Sequence, residues 1–319
     1  MTSDLEVAAA VLGGRAERDA PLGTLTTYRV GGPAALLVRA ADVDDLRAVA
    51  AARQRTDLPL LVVGNGSNLL VADRGFRGLV VVLGEAFAGV EVDGTSVRAG
   101  GRALLPVVAR RTVAAGLTGF EWAVGVPGTV GGAVRMNAGG HGADMAASLA
   151  GVRVLDLVTG QDETVHPDRL DLGYRHSAIG PHQVVIEAGL ALAEGDREAS
   201  EAERSAIVRW RREHQPGGPN AGSVFANPEG ESAGRLIDSA GAKGLRIGTA
   251  MVSTKHANFI QADVDGRAAD VLAVMAAVAE KVRVAAGVRL RPETRLAGFS
   301  RRELPSEWLD LDPQLLIES

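Results

Sequence analysis

Gly125-Val126-Pro127-Gly128-Thr129-Val130-Gly131-Gly132, followed closely by Asn137-Ala138-Gly139-Gly140, is the densest signal in this 319-residue chain and decides its fold. A loop with so few side chains cannot bury a face of its own. Its use is to lay backbone amides and carbonyls along a flat or charged ligand; a purely structural glycine loop is the competing reading. A second such loop lies upstream, where an apolar run at 58–63, of strand length, stops at Gly64-Asn65-Gly66-Ser67-Asn68. Consecutive amides there can turn inward as a cradle for phosphate, with Ser67 and Asn68 adding side-chain bonds, and a plain hairpin turn fits equally. A dinucleotide fingerprint fits less well, because Leu69 or Leu70 stands at its third glycine position and no helical pattern follows. Two glycine loops, each entered from an apolar segment, favour ligand contact over simple punctuation.

Outward from these loops the pattern is α+β. Residues 5–12 read as a short helix, 22–38 as extended segments around Gly31-Gly32, and 43–53 as a helix with Asp42 at its N-cap. Short strands follow at 69–71, 79–83, 90–92 and 97–99, then an amphipathic helix at 104–115 stopped by Gly116. Strands at 152–157, 164–165 and 184–187 precede a charged helix at 197–212. Gln215-Pro216-Gly217-Gly218-Pro219 reads as a boundary, beyond which helices are expected at 231–242 and 266–286. The last places Val271, Met275, Val278 and Val282 on one face and ends at Gly287. Trp308, Leu309, Leu311 and Leu315 give the tail a helical apolar spacing.

Composition bounds the function. The length exceeds one usual hydrophobic core, and a 46% hydrophobic content can fill two or three. The absence of cysteine excludes disulfides, iron-sulfur clusters, thiolate zinc and cysteine nucleophiles. A net charge of -5 and 3% aromatic residues argue against nucleic acid. Residues 1–20 are acidic and lack a basic start followed by an apolar block, so neither export nor a membrane is expected, and a reducing cytoplasm fits. His141, His166, His176, His182 and His214 show no metal-ligand spacing, and no metal site is expected.

Three further stretches carry candidate chemistry. Asn220-Ala221-Gly222-Ser223-Val224-Phe225-Ala226-Asn227-Pro228 can bend tightly and present the Ser223 hydroxyl, as an ordinary turn also would. Gly173-Tyr174-Arg175-His176-Ser177 offers a guanidinium able to grip a carboxylate through two parallel bonds; an exposed salt bridge is the plainer reading. Glu293, just after Pro292, reads in isolation as a solvated loop acid.

Taken together, Thr27, Gly31-Gly32, the 64–68 loop, Gly119-Phe120-Glu121, the 125–132 loop and Asn137-Ala138-Gly139 resemble the UDP-N-acetylenolpyruvoylglucosamine reductase (MurB) family in content and order. The resemblance runs from about Pro21 to Gly298 and includes Lys243-Gly244 and the run from Val252 to Ile260, although Gln261-Ala262 stands where the family has Val-Asn. The family often has a lysine or a Gln-Pro pair where this chain has His214-Gln215-Pro216, so substrate phosphate contact from that point is not carried over. The resemblance implies an FAD-binding part of the vanillyl-alcohol-oxidase type in two halves, residues 1–74 and 75–200. A substrate-binding α+β domain would follow at 201–298, with a tail at 299–319 that packs back on the first half. It also implies the compact form of the third domain, without the longer substrate-capping loop.

The same resemblance implies an enzyme that takes hydride from NADPH, holds FAD without a covalent bond, and reduces UDP-N-acetylglucosamine-enolpyruvate. Gly64, Asn65, Gly66, Ser67, Asn68 and Leu69 would hold the pyrophosphate. Gly125, Pro127, Gly128, Thr129, Gly131, Gly132, Ala138, Gly139 and Ile186 would line the rest of the cofactor. Hydride would add at C3 of the enolpyruvyl group, Arg175 and a protonated Glu293 would stabilise charge on its carboxylate, and Ser223 would protonate C2. Tyr174, Asn227, His256 and Arg295 are the implied substrate contacts. NADPH and substrate would alternate in one cleft, since no separate dinucleotide fingerprint is present. An oxidase of the same flavoprotein fold on another substrate, and a non-catalytic protein binding FAD or a UDP-sugar, are the alternatives; neither needs the Ser223, Arg175 and Glu293 set.

Overall fold

The computed structural model describes residues 3–319. Local signals set many of its elements. The Asp42 carboxylate accepts from the amides of Asp44 and Asp45 at 2.9 and 3.0 Å and starts the Val43–Gln54 helix. The Leu105–Ala114 helix stops before Gly116, whose φ of +77° suits a residue without a Cβ. The Ala268–Ala286 helix buries Val271, Met275, Val278 and Val282, as their spacing predicts, and Gly287 closes it in the left-handed region.

The chain forms two units. The first comprises the described residues up to Arg18, Leu36–Asn65 and Leu79–Arg211; the second comprises Asp19–Ala35, Gly66–Gly78 and Arg212–Ser319. In the first unit, strand Leu60–Val63 pairs in parallel with Phe76–Leu83, Leu60 opposite Leu79. Among the described residues the largest sheet has five strands. Its order is Asp162–Val165, Leu149–Asp156, Gln183–Ala191, Ser96–Gly100, Val90–Asp93, all antiparallel. The Gln183–Ala191 strand carries three consecutive buried apolar residues, Val184 to Ile186, because it serves two cores. Val184 and Ile186 pack with Leu46, Val49, Leu60 and Val81. Val185 and Ala188 pack with Val97, Val108, Phe120 and Val130.

The second unit has one core, in which Tyr28, Leu70, Val224, Phe225, Ile237, Val252, Met275, Leu296 and Trp308 are all buried. Strand Arg295–Ala297 is parallel to Leu69–Val71 on one side and to Leu316–Ile317 on the other. Trp308, in the tail helix Ser306–Leu311, meets Phe225 edge-on at 6.2 Å between ring centroids.

The structure differs from the sequence reading at the decisive glycine stretch. A short helix, Val130–Met136, runs through what reads as open loop. Thr129 caps it, its hydroxyl accepting from the Gly132 amide at 3.3 Å, and Val130, Ala133 and Val134 are buried on one face. Gly131 is there for space: a Cβ on it would lie 3.1 Å from the Gly101 carbonyl oxygen and 3.5 Å from Val185.

Candidate active site

In the first unit the two glycine stretches converge. Asn65 Nδ2 donates to the Pro127 carbonyl at 2.9 Å, and a Cβ on Gly64 would meet Thr129 Oγ1 at 2.5 Å. Between them opens a cleft with about 530 Å³ of empty space, its mouth included. Val62, Val63, Gly64, Thr129, Gly131 and Gly132 line one part of it, and Gly101, Arg102, Arg135, Val184 and Val185 another. Gly101 lies so close to the neighbouring strand that a Cβ would fall 1.9 Å from the Val185 carbonyl oxygen. The walls are therefore largely backbone and aliphatic, with two guanidinium groups for an anion. Arg102 also bonds Glu85, at 2.6 and 3.0 Å.

Sequence reasoning passed over Gly101, Arg102 and Arg135. Gly100-Gly101 at the end of strand Ser96–Gly100 was the available signal, a glycine pair directly after an apolar strand. The arginines carry no local signal, since a cation beside a glycine is commonplace.

Of the other expected cofactor residues, Gly125, Pro127 and Gly128 lead into the Thr129 cap, and the half-buried Arg211 guanidinium donates to the Gly125 carbonyl. Ile186 turns its side chain to the core, next to cleft-lining Val185. His141 sits at φ +54° with its ring perpendicular to Trp210 at 5.2 Å; burial, then Arg211, hold its imidazole below the usual pKa. Gly119-Phe120-Glu121 has a structural part to play. Glu121 is buried and accepts from Ser200 Oγ at 2.6 Å and from the Gly119 amide at 2.8 Å, tying the start of the Arg197–His214 helix to the second glycine stretch.

Tyr174 and Arg175 occupy the tip of a tight turn in the same unit. Gly173 and His176 exchange both backbone hydrogen bonds at 3.1 Å, and Arg175 is at φ +57°. Its guanidinium carbon lies 5.0 Å from the Tyr174 ring centroid, and Nη2 donates to the Gly139 carbonyl at 3.3 Å. Ala138 follows Asn137 at the end of the Val130–Met136 helix, and Gly139 pairs with Asp144 across a short hairpin.

In the second unit, Gly66 takes φ +59°, and its carbonyl accepts from the Thr27 amide at 3.1 Å. Ser67 continues this turn into Asn68, whose carbonyl accepts from the Arg295 amide at 3.0 Å and whose Nδ2 donates to the Glu293 carbonyl at 3.0 Å. Leu69 begins the strand paired with Arg295.

Ser223 and Glu293 are neighbours across paired loops. Gly222, at φ +74°, lets the chain turn before Ser223, and the Glu293 amide donates to the Val224 carbonyl at 2.7 Å. The buried side chain of Asn258 clamps the next residue from the other side. Its Oδ1 accepts from the Phe225 amide at 3.0 Å and its Nδ2 donates to the Phe225 carbonyl at 2.8 Å. Ser223 and Glu293 are both half-buried.

Asn227 and His256 both reach the start of the Ala233–Ser239 helix. Asn227 Oδ1 accepts from the Ala233 amide at 3.0 Å, and His256 Cε1 stands 3.2 Å from where a Cβ on Gly234 would be. Burial, then Lys243, lower the His256 pKa. Arg295 is mostly buried and engages Asp312 of the tail at 2.7 Å. Among the described residues no cluster of three or more histidine or acidic side chains could hold a metal, and no helix is long and apolar enough to cross a membrane.

Residues 34–166 match the family model described as FAD binding domain, and 214–297 match that of UDP-N-acetylenolpyruvoylglucosamine reductase, C-terminal domain. The UDP-N-acetylenolpyruvoylglucosamine reductase of Heliobacterium modesticaldum is 44% identical over 88% of this chain and 90% of its own length. This chain belongs to the UDP-N-acetylenolpyruvoylglucosamine reductase (MurB) family. The Lactococcus lactis reductase is 40% identical over 87% of this chain and 93% of its own length. The crystal structure of the Thermus caldophilus MurB reductase superposes with a TM-score of 0.78 at 37% identity, over 89% of this chain and all but 1% of that one (99% covered).

Membership makes this chain an FAD-dependent oxidoreductase with an FAD-binding part and a C-terminal domain of the MurB type. The cleft of the first unit fits FAD on its own evidence. Its lining of glycine backbone (Gly64, Gly101, Gly131, Gly132) and valine side chains suits a planar ring, and Arg102 and Arg135 supply positive charge for a pyrophosphate.

Proposed function

We propose that this chain reduces the enolpyruvyl ether of UDP-N-acetylglucosamine-enolpyruvate to UDP-N-acetylmuramate, with NADPH as the hydride source. The observation that supports the reading is the backbone pairing of the loops that carry Ser223 and Glu293, through the Glu293 amide and the Val224 carbonyl, which makes the two residues near neighbours in the second unit. The functional division drawn from the sequence goes with it: FAD-binding parts at 1–74 and 75–200, a substrate part at 201–298, and the tail beyond. Both the nucleotide sugar and NADPH are cytoplasmic metabolites, so the same reading assigns the chain to the cytoplasm.

FAD, when bound, supplies hydride transfer from N5 to C3 of the enolpyruvyl double bond. The chain's residues handle the charge and the proton that follow. Arg175 grips the substrate carboxylate through paired bonds and stabilises the negative charge that moves onto it. Glu293, protonated, shares its proton with those oxygens. Ser223 gives a proton to C2, which leaves a carbon-carbon single bond and a serine alkoxide that solvent reprotonates. For cofactor binding we assign Gly64, Asn65, Gly66, Ser67, Asn68 and Leu69 with Gly125, Pro127, Gly128, Thr129, Gly131, Gly132, Ala138, Gly139 and Ile186, and add Gly101, Arg102 and Arg135. Tyr174, Asn227 and His256 are the proposed substrate contacts. Arg295 shares its charge with Asp312, which makes it the weakest of that set.

The test is anaerobic: the flavin is bleached with NADPH, then the enolpyruvyl nucleotide is added. Return of the oxidised flavin spectrum is expected, and its failure to return sinks the reductase reading. Ser223→Ala is expected to slow that return by on the order of 10²- to 10⁴-fold while leaving bleaching by NADPH unchanged. A wild-type rate in this variant removes Ser223 from the proton transfer.

A further inference from the structure

We propose that Asn137 is the positioning residue for Arg175, setting where its guanidinium meets the substrate carboxylate. The inference rests on the reading of Arg175 given above. Asn137 ends the Val130–Met136 helix at φ 38° and ψ 57°, a left-handed conformation that glycine would adopt at less cost. A cap alone therefore does not call for asparagine. Its side chain, 2% exposed with the whole residue, supplies the reason. Nδ2 donates to the Gly173 carbonyl at 2.9 Å and to Asp144 Oδ2 at 3.1 Å, and Oδ1 accepts from the Ala146 amide at 2.9 Å. A flipped amide would set its oxygen against a carbonyl and a carboxylate, so only one orientation is available.

Gly173 is the base of the turn that carries Tyr174 and Arg175. Its carbonyl accepts both from Asn137 and from the His176 amide, which uses both lone pairs. The turn puts Arg175 in the left-handed region, where a side chain is disfavoured, so its geometry needs support from outside. The other end of Arg175 refers to the same segment, since its Nη2 donates to Gly139, two residues beyond Asn137. Backbone and guanidinium of Arg175 are thus both fixed against residues 137–139. Asp144 completes the arrangement, because its second oxygen accepts from the Ala147 amide at 3.3 Å and so holds the carboxylate that orients the asparagine.

The test uses the FAD-loaded full chain and two variants. Asn137→Gly keeps the left-handed backbone and removes the amide; Asn137→Asp keeps the acceptor for Ala146 and turns an oxygen on Gly173. Each is measured for flavin content, for the rate of bleaching by NADPH, for the substrate dissociation constant read from the oxidised flavin spectrum, and for reoxidation by the enolpyruvyl nucleotide. Full flavin content, NADPH bleaching within about twofold of wild type and reoxidation slowed roughly 10²-fold are expected, the loss that about 1 Å of misplacement produces. In an Arg175→Ala background, Asn137→Gly is expected to add less than about a twofold further loss, since a residue acting through another has nothing left to position.

A full additional loss in that background overturns the proposal, as does wild-type reoxidation by Asn137→Gly when Arg175→Ala is slow. Loss of flavin from both variants also overturns it, by making Asn137 a residue of the fold. If Arg175→Ala itself reoxidises at the wild-type rate, the reading of Arg175 falls first and this one with it.

Discussion

The turn that carries Arg175 and the turn that carries Ser223 are each held by the amide of one buried asparagine, and they are built on opposite principles. Asn258 bonds both backbone groups of Phe225, whose side chain is in the core of the second unit, and the same loop is laddered to residues 291–293 on its other side. Asn137 bonds only the base of its turn, while Tyr174 at the tip is 55% exposed and Arg175 is strained. Fixing the first turn is part of folding the unit. Fixing the second is a local matter with little core behind it. The contrast predicts that damage to the Ser223 clamp is read in stability and damage to the Arg175 clamp in kinetics.

The largest effect is expected from Asn258→Ala, which leaves the amide and carbonyl of Phe225 buried without the partners they now have. Each such group costs on the order of 1–3 kcal/mol, so a loss of roughly 2–6 kcal/mol is expected in denaturant unfolding. Asn258→Asp keeps one of the two bonds and should fall between. An unchanged midpoint for the alanine variant would break the comparison at its stronger side.

Arg175→Gly tests the strained turn. It should lose substrate reoxidation as Arg175→Ala does, yet unfold at higher denaturant than that alanine variant by about 1 kcal/mol, because glycine adopts positive φ without penalty. Equal midpoints for the two would mean that the φ of +57° stores no strain.

Acid should weaken both units. Burial above all lowers the pKa of His141 and His182 in the first and of His256 in the second from the ordinary 6.5. A histidine held neutral on folding contributes stability that is full above pH 6.5, its unfolded value, and is lost as pH falls through the lowered folded value. The midpoint should therefore drop between pH 7.5 and 5, and His256→Gln should flatten part of that slope. A slope unaltered by the substitution would remove His256 from the account.

The smallest effect belongs to a surface pair. Arg74 bonds Glu303 through both carboxylate oxygens at 3.1 and 2.7 Å and, ahead of the Ser300 bonds, holds its pKa down to about 2 from 4.5. This contribution is present above pH 4.5 and lost as pH falls through about 2. Glu303 is 38% exposed, so solvent screening limits Glu303→Gln to below about 1 kcal/mol at pH 7. A larger loss would show that the tail depends on its surface more than on Trp308 in the core.

The helices were the most legible elements, because Asp42, Gly116 and Gly287 mark ends that follow from local backbone chemistry. The Val130–Met136 helix was not, since two glycines hide the period that Val130, Ala133 and Val134 keep on their buried face. The glycine loops advertised a ligand site, but not that Asn65 and Pro127 would tie them together, nor that Gly101 would close the cleft from a third place in the chain.

The sequence by itself determined the chemistry on offer: glycines where backbone must approach a ligand, a serine in a tight turn, an arginine after a glycine, and no thiol. Their order along the chain was enough to name a family. Tertiary structure alone decided which of them share a unit, because the chain leaves the first unit for 19–35 and again for 66–78, so that Gly64 and Gly66 of one glycine loop belong to different units. It also decided which polar side chains act on a ligand and which on the protein itself. Asn137 and Asn258 look alike in sequence; only the packed neighbours of each make one the partner of a strained arginine turn and the other a piece of the core.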